Sequence, residues 1–277
     1  MKVRYLGTAA YEGVPSLFCQ CRVCKESMKK GGRNLRSRSQ MLVNDDLLID
    51  FPPDTVWHAH KYGIDWGKIG NCLITHSHSD HLYPEDMLMA HPGYSHDIRP
   101  IKYFSGESGA TAMRKCIGGI CPERADIEVV SAGQKFTAGG YKVLALSANH
   151  SKDTSPLIYA IEKDGKRMLY AHDTGIFPED VWEPLRAFGR LDFISFDCTG
   201  CLAGMDDEFY EWKDGHMSLR SNLRMLDRMK ALGIADDKTI VVVSHFSHNG
   251  AKTYDEMAEG AKNYGVIVAY DGLEIEF

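Results

Sequence analysis

The stretch "THSHSDH" places His76, His78, Asp80 and His81 within six residues. Imidazole nitrogens and carboxylate oxygens are the donors that zinc and similar divalent ions take. The spacing suits that use. His76 and His78 leave one side of a strand end, because side chains alternate with period two. Asp80 and His81 follow in the turn and can face a second ion beside the first. Three more candidates each follow an apolar run: His150 in "SANHS", Asp173 in "AHDTG" and His245 in "VVVSHFS". Singly, each is more often a packed or capping residue than a ligand. As a set, they complete seven donors for two ions: three His at one, Asp80 and two His at the other, and Asp173 between them. Two divalent cations lower the pKa of a bridging water towards neutrality and orient it as hydroxide. The expected chemistry is metal-assisted hydrolysis.

A second group is compact in sequence. "FCQCRVCK" carries Cys19, Cys21 and Cys24, three of the eight cysteines. The first residues, "MKVRYLGTAA", read as a strand and lack the apolar core of a signal peptide. A reducing, cytoplasmic setting is the expectation, and there cysteines are read as thiols or ligands, not disulfides. Cys72 lies in an apolar strand and is read as core. Cys198 and Cys201 in "CTGC" are read as packing residues, since no thioredoxin-like βαβ context surrounds them.

The elements that must position these residues are strands ending in polar loops. "KVRYLGT" is a first strand, and "QMLVNDDLLIDF" reads as a hairpin around Asn-Asp-Asp. Residues 53–63 look helical, "NCLITHSHSDH" is a strand ending in donors, and "YPEDMLMAH" begins a helix. "IKYF" and "IEVV" are strands flanking a helix near 107–116. "YKVLALSANH" is a strand, and "PLIYAIEKDGKRMLYAHDTG" is two strands joined across "KDGK". "PEDVWEPLRAF" is helical, "LDFISFDCTG" a strand, and "HMSLRSNLRMLDRMKALG" an amphipathic helix with Gly233 past its end. "KTIVVVSHFSHNG" is a buried strand. A helix near 253–264 and a strand "VIVAYDGLEIEF" close the series. Two sheets with helices outside and a site along one edge follow from this pattern.

The 277 residues are 44% hydrophobic and 25% charged, enough for a core without disulfides. The net charge of −6 argues against a dedicated binder of long nucleic acid. No apolar run approaches the ~18 residues of a membrane span, so no membrane partner is expected. Absence of repeats and of linker-like segments makes one domain, 1–277, the economical organisation.

"HSHSDH" with the spaced His150, Asp173 and His245 resembles the metallo-β-lactamase superfamily, over essentially the whole chain. The resemblance implies an α/β fold: a four-layer αβ/βα sandwich of two mixed sheets with outer helices. It implies His76, His78 and His150 at one metal, Asp80, His81 and His245 at the other, and Asp173 bridging. Asp50 resembles a family aspartate near the metals, with a structural role. True β-lactamases usually have another ligand where Asp173 stands, so antibiotic hydrolysis is disfavoured.

"DGHMSL" is similar to the G-H-(S/M)-(S/T) stretch of members that cleave phosphodiesters, such as the tRNA 3′-processing endonuclease. A His beside two cations can bind a non-bridging oxygen and protonate a departing alkoxide, which is the role expected of His216. "GTAAYEGVPSLFCQCRVC" resembles the start of the carbon–phosphorus lyase accessory phosphodiesterase, which acts on cyclic phosphates, and of the pyrroloquinoline quinone biosynthesis protein. This chain has Ala9 where a Gly is usual. That phosphodiesterase holds a structural zinc with three Cys and a His three residues after the last active-site His. Here the pattern is "HFSH", His245 then His248, giving Cys19, Cys21, Cys24 and His248.

The expectation is a metal-dependent phosphodiesterase for a small substrate, such as a cyclic nucleotide or ribosyl phosphodiester, working through a metal-bridging hydroxide. Asp80 would orient or deprotonate the attacking water and His216 would assist the leaving group. Two active-site ions of zinc or manganese, with iron as a further option, and one structural zinc are implied, and a homodimer is compatible with the resemblance. The alternatives are a hydrolase or oxidising metalloprotein of a biosynthetic pathway, like the quinone-cofactor relative, and a non-catalytic metal-binding module. In the basic loop "KKGGRNLRSRS", Arg38 is the candidate phosphate contact. His58, His60, His91 and His96 lack supporting spacing, and His172 is expected to point away from the metals.

Overall fold

The computed structural model describes residues 1–117, 124–205 and 212–277, and Cys121 lies outside them. One sheet takes β1 (Lys2–Gly7), β2 (Gln40–Val43), β3 (Leu47–Ile49), β4 (Asn71–Leu73), β5 (Ile101–Ser105) and β6 (Ala125–Val129). The other takes β7 (Lys135–Ala138), β8 (Tyr141–Ser147), β9 (Leu157–Lys163), β10 (Lys166–Ala171), β11 (Phe193–Asp197), β12 (Ile240–Ser244) and β13 (Ile267–Val268). A last strand, β14 (Glu274–Glu276), returns to pair with β1. Among the described residues each sheet has seven strands, ordered β14-β1-β2-β3-β4-β5-β6 and β13-β12-β11-β10-β9-β8-β7. Both sheets are mixed. In the first, pairing turns parallel from β3 to β6. In the second, it turns parallel from β10 to β13.

Alternation along the central strands explains why they read as continuous apolar runs. On β9, Leu157, Tyr159 and Ile161 join the layer between the sheets, while Ile158 and Ala160 face the other way. Met168 and Tyr170 of β10 also face inward, while Leu169 and Ala171 face outward. A strand covered on both faces has no polar side to show.

The outward faces are covered by helices: α1 (Arg22–Lys30), α2 (Thr55–Tyr62), α3 (Glu107–Ile117), α4 (Trp182–Phe188), α5 (Leu219–Ala231) and α6 (Tyr254–Ala261). α3 places Met113 and Ile117 on Leu48, Cys72 and Ile74 of the first sheet's side. α4, α5 and α6 place Leu185, Met225 and Met257 with Leu169, Ile194 and Val243 of the second. Helix, sheet, sheet, helix is the four-layer αβ/βα sandwich. Among the described residues no helix is long and apolar enough to cross a membrane.

Three local features depart from the sequence reading. Pro84–Ala90 forms a 3₁₀ helix, not an α-helix. "VIVAYDGLEIEF" is two strands, β13 and β14, in different sheets, parted by a turn with Gly272 at φ 97°. α1 was hidden because its N-cap is a cysteine: Cys21 Sγ accepts the Cys24 N–H, the place usually taken by Ser or Asp. Ala9 sits fully buried and bridges Arg38 and Phe246, with no left-handed backbone that would demand glycine. Gly7 is different, because a Cβ there would lie 1.9 Å from the Arg38 carbonyl oxygen.

Candidate metal centre

The parallel strands deliver their C-terminal ends to one edge. β3 leads to Asp50 and β4 leads into the His76–His81 turn. β10 leads to Asp173, β11 ends in Asp197, and β12 leads to His245. β4 stops just past Leu73: the Ile74 N–H still donates to Phe104 O of β5, but the Thr75 N–H turns to Asp50 Oδ1, both at 2.8 Å. The Thr75 hydroxyl also donates to Asp50 Oδ1 at 2.9 Å. Asp50, Asp173 and His245 have φ of 69°, 51° and 60°. Left-handed backbone at non-glycine residues carries strain, and here it turns three strand ends to aim their side chains at one point.

The inner nitrogens converge. His76 Nε2 is 2.9 Å from His78 Nδ1, which is 3.2 Å from His150 Nε2. Asp173 Oδ2 lies 3.1 Å from His76 Nε2 and 3.0 Å from His81 Nε2. His81 Nε2 and His245 Nε2 are 3.1 Å apart, with Asp80 Oδ2 at 3.4 and 3.9 Å from them. The donor atoms of His76, His78, His150 and Asp173 lie within 4.8 Å of one another, as do those of Asp80, His81, Asp173 and His245.

Outer partners fix these rings. His81 Nδ1 meets Asp50 Oδ2 at 2.7 Å, His150 Nδ1 meets the Gly215 carbonyl at 3.0 Å, and His245 Nδ1 meets Thr199 Oγ1 at 2.9 Å and Asp197 Oδ2 at 3.2 Å. When the outer nitrogen donates, the inner one of a neutral ring carries a bare lone pair. Lone pairs about 3 Å apart repel unless a cation lies between them. A tetrahedral ion with bonds of about 2.0–2.1 Å sets ligand nitrogens about 3.3 Å apart. Asp173 Oδ1 is buried without a hydrogen bond of acceptable geometry, although His245 Nε2 and His216 Nδ1 stand 3.1 and 3.2 Å away. The donor set therefore fits two divalent ions with Asp173 shared.

Burial and charge polarise the group. Burial lowers His76 to about 4, beyond what Asp173 restores, and burial also lowers His150. Burial opposes charge on His81 too, but Asp50, Asp173 and Asp80 together push it well up. Burial would raise Asp173, yet His245 and His81 hold it well below the carboxylate range. His216 stands just before α5, half-buried, with Nδ1 3.1 Å from Asp197 Oδ2. Burial disfavours its charge, but Asp197 and Asp173 outweigh that and raise it to about 11.

Asp197 is the residue that the sequence reading missed. It is fully buried and contacts His216, His245 and the Thr199 and Met217 amides. Its signal was available, since "FISFD" ends an apolar run in a carboxylate as the other site strands do. His172 is buried between Ser39 and Ser195 and offers no nitrogen to the ions. His58 is bound to Ser37 and Gln40, away from the cluster. Arg38 does not face the metals: its Nε donates to the Tyr11 carbonyl at 2.7 Å and Nη1 pairs with Asp54 at 3.0 Å. Cys198 and Cys201 are buried in the core beneath α5 and α6.

A cleft of about 410 Å³ opens over the cluster, lined by His78, Asp80, His150, Asp173, His216 and His245 with Tyr11, Glu12, Trp212 and Asn249. Beside it, Cys19, Cys21, Cys24 and His248 bring their donor atoms within 4.8 Å of one another. His248 Nδ1 is 3.6 Å from Cys19 Sγ and 3.5 Å from Cys21 Sγ. A tetrahedral ion with Zn–S of about 2.3 Å and Zn–N of about 2.0–2.1 Å gives that edge as about 3.5 Å. Amides of Ser16, Cys21 and Cys24 point at the sulfurs of Cys24, Cys19 and Cys21, as thiolates require. The four residues fit one structural ion.

Residues 47–246 match the family described as the beta-lactamase superfamily domain. An octanoyltransferase of Porphyromonas gingivalis is 35% identical over 86 residues, 30% of this chain and 16% of that one. A UPF0173 metal-dependent hydrolase of Korarchaeum cryptofilum is 30% identical over 108 residues, 38% of this chain and 42% of that one. This chain thus spans less than half the length of either relative. Among solved structures, a diphosphatase of the PhnP family superposes with TM-score 0.75 at 20% identity, covering 100% of this chain and 97% of that one. Zn²⁺-bound PqqB of Methylobacterium extorquens superposes with TM-score 0.77 at 18% identity, covering 100% of both chains. The family match takes in β3 to β12 and every donor of the His/Asp cluster, and by it this chain is a member of the metallo-β-lactamase superfamily.

Proposed function

We propose that this protein is a dinuclear metal-dependent phosphodiesterase for a small phosphodiester. The observation that carries the reading is His216, a ring held by Asp197 and lying 3.2 Å from Asp173 at the rim of a cluster with donors for two ions. Two divalent ions, when bound, supply the positive charge that holds a phosphate group and lowers the pKa of an attacking water.

The chain's own residues supply the rest. Asp173 and Asp80 balance the charge of the ions, and Asp80, on the cleft wall, can accept the proton of an attacking water. His216 Nδ1–H is engaged by Asp197, which leaves Nε2–H as the proton to be given to the departing alkoxide. Asp197 and Asp173 favour the protonated ring, and cations held at Asp173 would weaken that carboxylate's hold on the proton. Asp197 also holds His245, so one carboxylate orients both a metal-facing ring and the acid.

The likeness to a PhnP-family diphosphatase agrees with phosphate chemistry, and the curated relative in Korarchaeum is named a metal-dependent hydrolase. The test is turnover of bis-p-nitrophenyl phosphate by protein loaded with zinc or manganese. Hydrolysis that chelation abolishes supports the reading, and its absence from fully loaded protein rejects it.

A further inference from the structure

Glu12 lines the same cleft as Asp80 and His216, yet among the described residues no Lys or Arg neutralises it. Its Oε1 accepts from Ser247 Oγ and lies 3.6 Å from His248 Nε2. Among the described residues Oε2 has no partner, and the side chain is 22% exposed. The turn that carries it is fixed. Ala10 N–H donates to Phe246 O and Gly13 N–H to Ala10 O, both at 3.0 Å, and Arg38 grips the Tyr11 carbonyl. Glu12 is therefore tethered at one oxygen on a pinned turn.

A carboxylate on the wall of a cleft built for an anion repels the phosphate. One oxygen is taken up by Ser247, and the other serves the cleft if the substrate brings donors to it. We infer that Glu12 selects the organic group of the substrate, its free oxygen accepting hydrogen bonds from hydroxyls of a sugar or glycerol esterified to the phosphate. The inference rests on the phosphodiesterase reading and adds the substrate feature that this wall reads. A hydroxyl bound to an ionised carboxylate makes a charge-assisted bond. A site built to bind a hydroxyl discriminates sharply against an analogue that lacks it.

The test compares the glycerol and the propyl p-nitrophenyl phosphodiesters, which share a leaving group and a three-carbon chain and differ in hydroxyls. The metal-loaded wild type is expected to prefer the glycerol ester in kcat/KM, and Glu12→Ala to lower that preference roughly 10- to 100-fold. Glu12→Gln, which keeps the side-chain size, is expected to lower it by a smaller factor. Absence of a preference in the wild type overturns the inference. So does an equal loss on both esters accompanied by loss of one metal ion per chain, which would assign Glu12 to the bracing of His248. If the wild type cleaves neither ester, the phosphodiesterase reading fails and calorimetry decides this inference alone. Glycerol 1-phosphate binding more tightly than propyl phosphate, with the difference lost in Glu12→Ala, supports it. Equal binding overturns it.

Discussion

His81 Nε2 and His245 Nε2 face each other at 3.1 Å across the seam between the two sheets, each ring held from behind by a carboxylate. Asp50 holds the first at 2.7 Å and Asp197 the second at 3.2 Å. Donor atoms from the two sheets thus meet at this edge, an arrangement that a cation between them would stabilise.

Asp50 should set metal affinity without touching an ion. Asp50→Asn keeps the shape but weakens the hold on His81 Nδ1–H. Loss of such an outer partner typically costs about 10- to 100-fold in metal affinity. Competition with a chromogenic chelator would read this, and an unchanged affinity would show that Asp50 serves only the Thr75 turn.

The Cys/His group should behave as a separate ion. Cys21→Ser is expected to lower the metal content from three per chain to two while the His/Asp pair stays loaded. An ion bound at a free concentration about 100 times its Kd contributes about 2.7 kcal/mol to folding. The variant should therefore melt several degrees lower, as calorimetry would show. Retention of three ions would contradict the assignment.

Much of this is legible in the sequence, for a physical reason. Each donor stands at or just past the point where an apolar run stops, and a strand buried on both faces has little room for a charged side chain before its end. Asp197 obeys the same rule but was overlooked, because one carboxylate after "FISF" has no neighbouring His to mark it. The cysteine cap of α1 and the division of the last apolar stretch between two sheets depend on tertiary partners, Cys24 and β1, that local propensity does not encode. Glu12 and Trp212 meet at the cleft from opposite parts of the chain, so no spacing reveals them.

Gly7 should resist substitution. A Cβ there would lie 1.9 Å from the Arg38 carbonyl oxygen and 2.9 Å from that of Ser37. Both are backbone atoms and cannot swing aside. Gly7→Ala is expected to cost about 3 kcal/mol, measured by urea unfolding, and a change under 1 kcal/mol would mean that the strands part easily.

His58 predicts a pH dependence remote from the ions. Burial, reinforced by Lys61 and opposed by Asp54, lowers it from 6.5 to about 4. The unfolded chain takes up a proton that the folded chain refuses, so its stabilising effect is complete above pH 6.5 and is lost as pH falls towards 4. Between pH 7 and pH 5 this one group accounts for a loss of about 2 kcal/mol. His58→Gln should flatten the pH profile of unfolding by that amount in metal-loaded protein, and an identical profile would remove His58 from the account.

The most direct measurement is single-turnover and steady-state hydrolysis of bis-p-nitrophenyl phosphate by wild type and His216→Ala, with metal content determined on the same samples. The account predicts chelator-sensitive hydrolysis by the wild type and a kcat about 10²- to 10⁴-fold lower in the variant at equal metal content. No hydrolysis by loaded wild type, or full activity without the His216 ring, would contradict it.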